Sequence, residues 1–293
     1  MKVITVYQYD AFSREPGKGN PAGVVLDGAD LSDAEMQEVA YRAGFNETAF
    51  VLESDVADLQ FRYFTPGHEM NLCGHGTMAA VYACQSHNFL GGKSELTIET
   101  KAGILPIHID GSAITMKQAQ PEFMEFAGSR EALANAIGLE EAELHGDLPI
   151  LYGSTGTWTL LVPIKELDSF DKMVPATQDF PQILKELPTA SVHPFCLATH
   201  DPAAEMHARH FSSAASGTIE DAVTGTASAV MGAYYASFLE NKDEQHLHLV
   251  VEQGQEMGKD GRVDVHVSRS GDTVDIHITG NAVYVEERKV ELL

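Results

Sequence analysis

The amino-acid sequence predicts an α+β protein built from two similar halves. Its 293 residues suit one large domain or two domains of about 100–200 residues each. Short runs rich in β-branched and aromatic residues alternate with a few helices that carry capping signals. A pattern of strand, loop, glycine turn and helix occurs in both halves, which indicates an internal duplication.

The first half opens with a strand and contains two helices. Ser32 and Glu35 form a capping box, which predicts a helix that Gly44 ends. A second helix of small residues is expected to begin near Gly74. Strands are predicted over residues 3–9, 22–26, 48–52, 59–64, 96–100 and 105–109.

The second half repeats this plan. Ser129 caps a helix that Gly138 ends, and Pro181 begins a short one. A helix of small residues is predicted over residues 226–239. Strands are predicted over residues 158–162, 195–198, 247–251, 263–267, 274–278 and 282–285, with a turn at residues 270–272.

The duplicated segment is centred on two glycine turns that open helices. Residues 73–77 read Cys-Gly-His-Gly-Thr, and residues 224–228 read Thr-Gly-Thr-Ala-Ser. The first amides of a helix have no intrahelical partner and lie at its positive end, so each turn is a candidate anion site. The alternative is that both turns are ordinary glycine-containing helix starts.

Charge and cysteine content restrict the partners and the compartment. Lys and Arg number 19 against 43 Asp and Glu, a formal net charge of -24, which argues against nucleic-acid and anionic-membrane surfaces. A small anionic substrate remains compatible with a locally positive site. Three cysteines at no framework spacing and the absence of a signal-peptide pattern favour the cytoplasm.

Three ionisable side chains are candidates for acid/base chemistry. Glu47 begins an apolar strand, where a carboxylate can serve as a general acid/base, although an exposed strand-end glutamate is the commoner case. Asp221 precedes the second small-residue helix and is either a proton-transfer partner or an acid favoured there by the dipole. His75 lies between two glycines, and the helix N-terminus is expected to lower its pKa unless it is simply solvated.

Cysteine and metal chemistry have less support. Cys73 at a helix start could be a thiolate with a lowered pKa. A two-thiol epimerase would need a second cysteine at Thr224, the matching position, and threonine does not deprotonate near neutral pH. Neither the His246 and His248 spacing nor that of His207 and His210 completes a metal pattern, so no metal is expected.

Six segments in order along the chain resemble the PhzF-like (phenazine-biosynthesis) family. They are residues 19–25, 47–51, 62–66, 73–77, 220–227 and 252–258. The resemblance implies the diaminopimelate-epimerase-like fold, in which two similar domains each curl a mixed sheet around a central helix, with the active site in the cleft between them. It also implies a homodimer without metal or organic cofactor. In the phenazine enzyme, a glutamate shifts a proton within a dihydro-hydroxyanthranilate ring.

The family's site residues map onto this sequence one by one. The glutamate, the histidine of the Cys-Gly-His turn and the aspartate of the Glu-Asp pair correspond to Glu47, His75 and Asp221, the implied catalytic residues. The implied substrate-binding residues are Asn20, Gly74, Gly225 and Thr226. Two positions depart from the family pattern: Gly76 replaces the usual alanine, and Thr226 replaces a common serine, which puts the substrate more in question than the proton chemistry.

These observations together predict a cofactor-independent isomerase that shifts a proton on a small carboxylate-bearing metabolite. Residues 1–120 would form the first domain, joined by a returning strand at 282–293, and residues 121–281 the second. Two alternatives stay open: an epimerase or racemase that uses Cys73, and a metabolite-binding protein of the same fold without turnover. The protein is expected in the cytoplasm as a homodimer, with no nucleic-acid or membrane partner.

Overall fold

The computed structural model of the chain describes residues 2–239, 244–270 and 273–292. Two compact units divide the chain: unit 1 comprises residues 1–117 and 279–293, and unit 2 comprises residues 118–278. Gly271 and Asp272 of the predicted turn lie outside the described residues.

The elements confirm the predicted α+β class. The helices are α1 (Asp33–Ala43), α2 (Gly74–Ser86), α3 (Arg130–Ala136), α4 (Phe180–Ile183) and α5 (Gly225–Phe238). The first strands are β1 (Lys2–Ala11), β2 (Asn20–Val25), β3 (Thr48–Leu52), β4 (Leu59–Phe64), β5 (Glu69–Met70), β6 (Glu95–Thr100), β7 (Gly103–Asp110) and β8 (Ala113–Lys117). The remaining strands are β9 (Glu122–Glu125), β10 (Leu151–Ser154), β11 (Trp158–Pro163), β12 (Ser191–Cys196), β13 (Met206–Ala208), β14 (His246–Gln253), β15 (Gly261–Ser270), β16 (Thr273–Gly280) and β17 (Ala282–Leu292).

Local signals in the sequence set the helix ends. The Ser32 hydroxyl accepts from the Glu35 amide and the Glu35 carboxylate accepts from the Ser32 amide, so the predicted capping box is present. Gly44 ends α1 in the left-handed conformation at φ 72, which glycine adopts without strain. Ser129 likewise caps α3 by accepting from the Ala132 amide.

The two units share one strand connectivity. In unit 1, β1 and β2 pair antiparallel, β2 and β3 parallel, β3 and β4 antiparallel, β4 and β6 parallel, and β6 and β7 antiparallel. In unit 2, β10 to β15 repeat this order of antiparallel and parallel pairs, with α5 where unit 1 has α2. The duplication inferred from two glycine turns therefore extends over six strands and a helix.

A largely buried helix packs against the strands of each unit. Helix α2 contacts β1, β2, β3, β4, β8 and β17, and α5 contacts β10, β14 and β15. Both helices are apolar around most of their circumference, as expected for a helix enclosed by a sheet. Small residues allow this close packing: a Cβ on Gly232 of α5 would lie 2.5 Å from Cγ1 of Val265.

The last strand belongs to unit 1. β17 pairs antiparallel with β1 from Lys2 opposite Leu292 to Ala11 opposite Ala282. Its apolar end packs into the first unit's core, where Val290 and Leu292 join Ile4, Val25 and Met36. The residue pattern predicted a strand only over residues 282–285, because the polar residues that follow hide its alternation, whereas the family resemblance implied a returning strand at 282–293.

No helix in the described part of the chain combines the length and apolar character needed to cross a membrane.

Candidate active site

Glu47 is held at the start of β3 by the neighbouring strand. Its backbone carbonyl accepts a hydrogen bond from the Gly23 amide of β2 at 3.0 Å. Glycine is needed there, since a Cβ on Gly23 would lie 2.9 Å from Oγ1 of Thr48 and 2.8 Å from the Phe45 ring. The close approach of these two backbones fixes where the Glu47 side chain leaves the sheet.

Cys73 caps the helix that presents His75. The Gly76 amide donates to Cys73 Sγ at 3.3 Å, and the Thr77 hydroxyl donates to the Cys73 carbonyl at 2.7 Å. The Tyr63 hydroxyl lies 2.6 Å from the Thr77 hydroxyl, which ties the helix to β4. A side chain at Gly76 would crowd the sulfur, because its Cβ would lie 3.0 Å from Sγ.

The structure brings Glu47 and His75 together. His75 Nε2 lies 3.0 Å from Glu47 Oε2, and the two side chains are only 9% and 17% exposed. Oε2 is buried and receives no aligned hydrogen bond from the described residues. The carboxylate therefore has an oxygen shielded from water, adjacent to a histidine and not saturated by donors.

The pKa of His75 differs from the sequence-based expectation. Burial acts to lower this pKa, but the Cys73 sulfur and the Glu47 carboxylate outweigh it and raise the pKa well above 6.5. The predicted lowering by the helix N-terminus was wrong, because it ignored Glu47, which lies 28 residues away in sequence but 3.0 Å away in space. The Glu47 carboxylate therefore favours the protonated form of His75.

The pKa of Cys73 is raised as well. Burial raises its pKa above 9.0, while His75 and the Gly76 amide only partly oppose that effect. The expected thiolate at the helix N-terminus was therefore wrong: desolvation is stronger than the helix terminus here. All three cysteines of the chain are free and buried.

Asn20 starts β2 and is buried, after a tight loop that glycine makes possible. Gly19 has φ 70, and a Cβ there would collide with the Ala11 carbonyl. Asp10, fully buried in β1, accepts a hydrogen bond from the Gly17 amide at 2.7 Å and so anchors the same loop. Asp10 was not among the residues singled out from the sequence, where it reads as one polar residue in an alternating strand.

Asp221 lies in unit 2, within a network that shapes the start of α5. Its carboxylate accepts from the Thr224 hydroxyl at 2.5 Å. Gln253, at the end of β14, donates to the Asp221 carbonyl at 2.8 Å and accepts from the Thr224 amide at 3.1 Å. Gly225 and Thr226 form the first turn of α5, and the Thr226 carbonyl accepts from the Thr155 hydroxyl at 3.1 Å.

The two helix starts match atom for atom in one respect. The Ser228 hydroxyl donates to the Thr224 carbonyl at 3.0 Å, as the Thr77 hydroxyl does to that of Cys73. The ionisable groups do not match. The residue before β12, in the place that Glu47 has before β3, is Ala190, and His75 corresponds to Thr226. The duplication conserves the frame and not the acid/base residues.

A pair of buried arginine clamps precedes the helix starts and was missed from the sequence. Arg62 donates through Nε and Nη2 to both oxygens of Glu69, and Arg209 does the same to Glu220. Each guanidinium also stacks on the phenylalanine two residues later. A common sequence pattern marks this pair in both halves. An Arg-x-Phe segment is followed by a glutamate, and that glutamate lies four residues before the helix-capping residue, which a glycine follows.

Glu47, Cys73 and His75 also have the chemistry of metal ligands. One ligand atom from each lies within 4.8 Å of the others. A carboxylate, a thiol and an imidazole suit a transition metal such as zinc. Their mutual contacts are equally those of an acid/base site without a metal.

Comparison with known proteins identifies the class to which this fold and site belong, the isomerases. A protein of Bacillus subtilis (strain 168) named uncharacterized isomerase YfhB is 52% identical over 296 residues, covering 100% of both chains. The trans-2,3-dihydro-3-hydroxyanthranilate isomerase of Pseudomonas aeruginosa is 29% identical over 290 residues, covering 95% of this chain and 96% of that protein.

The family follows from a second comparison. The model of the phenazine biosynthesis-like proteins matches residues 9–288, so the chain belongs to this PhzF family. The crystal structure of a Bacillus anthracis phenazine biosynthesis protein of the PhzF family superposes with a TM-score of 0.97 at 54% identity over 100% of both chains. The resemblance inferred from six short segments is confirmed, and with it the small-molecule isomerase function that it implied.

Proposed function

We propose that this isomerase shifts a proton between two carbon atoms of a small carboxylate-bearing metabolite, with Glu47 as the acid/base. The contact that carries the proposal is the 3.0 Å approach of His75 Nε2 to the buried Glu47 Oε2. A carboxylate oxygen that is shielded from water and not occupied by aligned donors is free to approach a C–H bond of a bound substrate.

Glu47 alone accounts for the proton that is removed from the substrate and the proton that is returned to it. Glu47 takes a proton from one carbon and becomes a neutral carboxylic acid, while the electron pair of the broken C–H bond delocalises over the substrate. The same acid then protonates a second carbon and returns to the carboxylate. His75 orients the Glu47 carboxylate through their 3.0 Å contact, and Asp221 is the third catalytic residue that the family resemblance implies.

Binding of the substrate carboxylate is assigned to the helix starts. The Gly76 amide already donates to Cys73 Sγ. In α2 we therefore assign the amide of Gly74, two residues earlier, to the substrate carboxylate. Gly225 and Thr226 supply the corresponding amides of α5, and Asn20 contributes an amide side chain. The methyl group of Thr226, where relatives carry serine, narrows the space beside the substrate.

The named relative suggests a substrate class. Because one homologue is a trans-2,3-dihydro-3-hydroxyanthranilate isomerase, an unsaturated ring acid is the first candidate to test. A thermal-shift screen of metabolites would find others, and each compound that binds would be followed by NMR for exchange of C–H protons in deuterated water.

The decisive variant is Glu47→Gln, which keeps the shape and removes the base. Deuterium incorporation into any turned-over substrate should fall by at least about 100-fold, the contribution typical of a positioned acid/base. Glu53→Gln is the matched control, since Glu53 is exposed just beyond the other end of β3. Undiminished exchange in Glu47→Gln, with the fold intact by circular dichroism, would refute the role of Glu47.

Cys73 supports a second candidate, thiol-based epimerisation, because Sγ lies 3.6 Å from His75 Nδ1. The raised pKa of Cys73 and the threonine at position 224 weigh against it. Cys73→Ser separates the two: it should preserve exchange if Glu47 acts and abolish it if the thiol acts. Tight ligand binding with no C–H exchange in the wild type would instead indicate a binding protein without turnover.

We also propose that the protein works as a cytoplasmic homodimer. Family resemblance suggests the dimer, and three buried free cysteines suit a reducing compartment. Light scattering coupled to size-exclusion chromatography would measure the mass in solution, for comparison with the 31.8 kDa of one chain.

A further inference from the structure

A second group of metal-ligating side chains lies in unit 2, among residues that the proposed reaction does not use. His207 on β13, Glu256 in the turn after β14 and His200 in the loop before β13 each offer one ligand atom within 4.8 Å of the others. His207 is fully buried, Glu256 is 8% exposed and His200 is exposed. The cluster therefore extends from the interior to the surface, and solvent can reach it from one side.

The parallel pairing of β13 and β14 orients the central ligand. It places His207 directly opposite Glu252, and His207 Nδ1 lies 3.0 Å from Glu252 Oε1. Glu252 is fully buried and also accepts from the backbone amides of His200 and Asp201, at 2.6 and 3.0 Å. One carboxylate thus fixes both the imidazole ring of His207 and the loop that carries His200.

This arrangement is typical of the outer sphere of a zinc site. A histidine that ligates zinc usually donates its other ring N–H to a carboxylate, which sets the tautomer and directs the free nitrogen at the metal. With Nδ1–H donated to Glu252, His207 Nε2 faces Glu256 Oε1 at 2.8 Å, and a bound metal ion would take the place of the proton that these two atoms share. The Phe170 ring packs edge-on against the imidazole, at 4.6 Å between ring centroids, and holds it in place.

A separate observation points to a missing positive charge. Oε2 of Glu256 is buried and has no hydrogen-bond partner in the described residues, although the side chain is more than nine-tenths buried. A carboxylate oxygen in that state is destabilised unless a proton or a cation reaches it. Arg209 acts on Glu256 electrostatically, but its guanidinium hydrogen-bonds to Glu220 and to the Phe170 and Met173 carbonyls, and Arg262 pairs with Asp201, Asp260 and Glu252.

We propose that His200, His207 and Glu256 bind one divalent transition-metal ion, with Zn²⁺ as the preferred metal and water as the fourth ligand. Two imidazoles and a carboxylate with one open position form a known zinc ligand set. Tetrahedral zinc places its ligand atoms about 3.3–3.5 Å apart, so the 2.8 Å approach of Nε2 to Oε1 has to widen by only about half an ångström. His200, exposed and with its ring centroid 5.0 Å from that of His207, completes the set by turning inward.

The ion would act as a staple of the fold. It joins the loop before β13, β13 itself and the turn after β14. This turn follows Gln253, the last residue of β14, which holds Asp221 and Thr224. Zinc bound here would therefore stabilise the start of α5 without contacting a substrate.

The test titrates Zn²⁺ into chelator-treated full-length protein by calorimetry. We expect one equivalent bound, and a melting temperature that rises by about 5–10 °C at a free zinc concentration of about 100 times the dissociation constant. His200→Ala, at an exposed position that threatens no packing, should weaken binding by at least about tenfold, and Glu256→Gln should do the same. His248→Ala is the matched control, because His248 is another exposed histidine and should leave binding unchanged.

Co²⁺ decides between this cluster and the one around Cys73. Cobalt on two imidazoles and a carboxylate gives visible d–d bands without a thiolate charge-transfer band, and Cys73→Ser should leave that spectrum unaltered. A thiolate band lost in Cys73→Ser would place the metal at Glu47, Cys73 and His75 and overturn the proposal. So would equal zinc affinity in wild type and His200→Ala, or no zinc binding at all, which would leave His207 as an imidazolium bridging two glutamates.

Discussion

Removing the charge of Glu220 tests how much the buried arginine clamp of unit 2 contributes to stability. The Arg209 side chain is 9% exposed and that of Glu220 11%, so Glu220→Gln leaves a buried guanidinium without its counter-ion. Breaking such a pair from one side costs about 3–5 kcal/mol. We expect about 3 kcal/mol, since the Phe170 and Met173 carbonyls still accept from Nη1 of Arg209. For a unit of this size, that corresponds to a melting temperature about 6–12 °C lower.

The clamp in unit 1 is the internal control. Glu69→Gln makes the same chemical change, but Arg62 keeps its ion pair with Asp33 and is 16% exposed, so we expect a loss of at most about 1–2 kcal/mol. Differential scanning calorimetry of both variants gives the comparison. Adding Arg209→Met to Glu220→Gln should recover part of the loss by removing the unpaired charge. Equal melting temperatures for the two single variants, or no recovery in the double variant, would refute the reasoning.

Three further outcomes are expected. Because the folded-state pKa of His75 is raised above 6.5, the stability that this residue contributes is fully present below the unfolded pKa and is lost as pH rises through the folded pKa. The melting-temperature difference between wild type and His75→Asn should therefore shrink from about pH 6.5 upward. A difference that grows with pH would contradict the ion pair. Gly232→Ala should lower the free energy of unfolding by about 1–3 kcal/mol in spite of alanine's helix propensity, because its Cβ would lie 2.5 Å from Val265. Adding Val265→Ala should relieve this clash, and Gly146→Ala, in open space, is the neutral control. Unchanged stability of Gly232→Ala would show that the strand carrying Val265 moves to accommodate the new methyl group. With a net charge of -24 and a carboxylate substrate, stopped-flow association should speed up or stay constant as salt rises, and a marked slowing would indicate long-range attraction instead.

Helix ends and strands that depend on neighbouring residues could be predicted from the sequence. The capping box at Ser32 and the stop at Gly44 define α1 correctly, and strands β3 and β4 begin and end where β-branched and aromatic residues predicted them. The residue pattern missed the short strands β5, β8, β9, β10 and β13 and the polar part of β17. Their assignment depends on pairing with distant strands, which a single sequence does not display.

The candidate site shows the same division between local and distant information. The glycine turns and Glu47 stand out as motifs, whereas the direction of the His75 pKa shift depends on a contact between two segments. His207 was considered only with its sequence neighbour His210. Its partners lie 45 and 49 residues further along the chain: Glu252 on the paired strand β14, and Glu256 in the turn after it. The ionisable partners of His75 and His207 could therefore be identified only from the structure.

The pairing of β1 with β17 determines the order in which the chain can fold during synthesis. Unit 2 is continuous, so all of its strands have been made once residue 278 leaves the ribosome. Unit 1 begins the chain and β1 can pair with β2 early, yet its second neighbour, β17, is missing until residues 282–292 are translated, about 10–35 s after residue 118 at usual elongation rates. The later half of the protein can thus be complete before the earlier one. During this interval the side of β1 that later pairs with β17 is an open strand edge, and β1 carries the apolar residues Ile4 and Val6. We expect chaperones to bind the nascent chain at this edge.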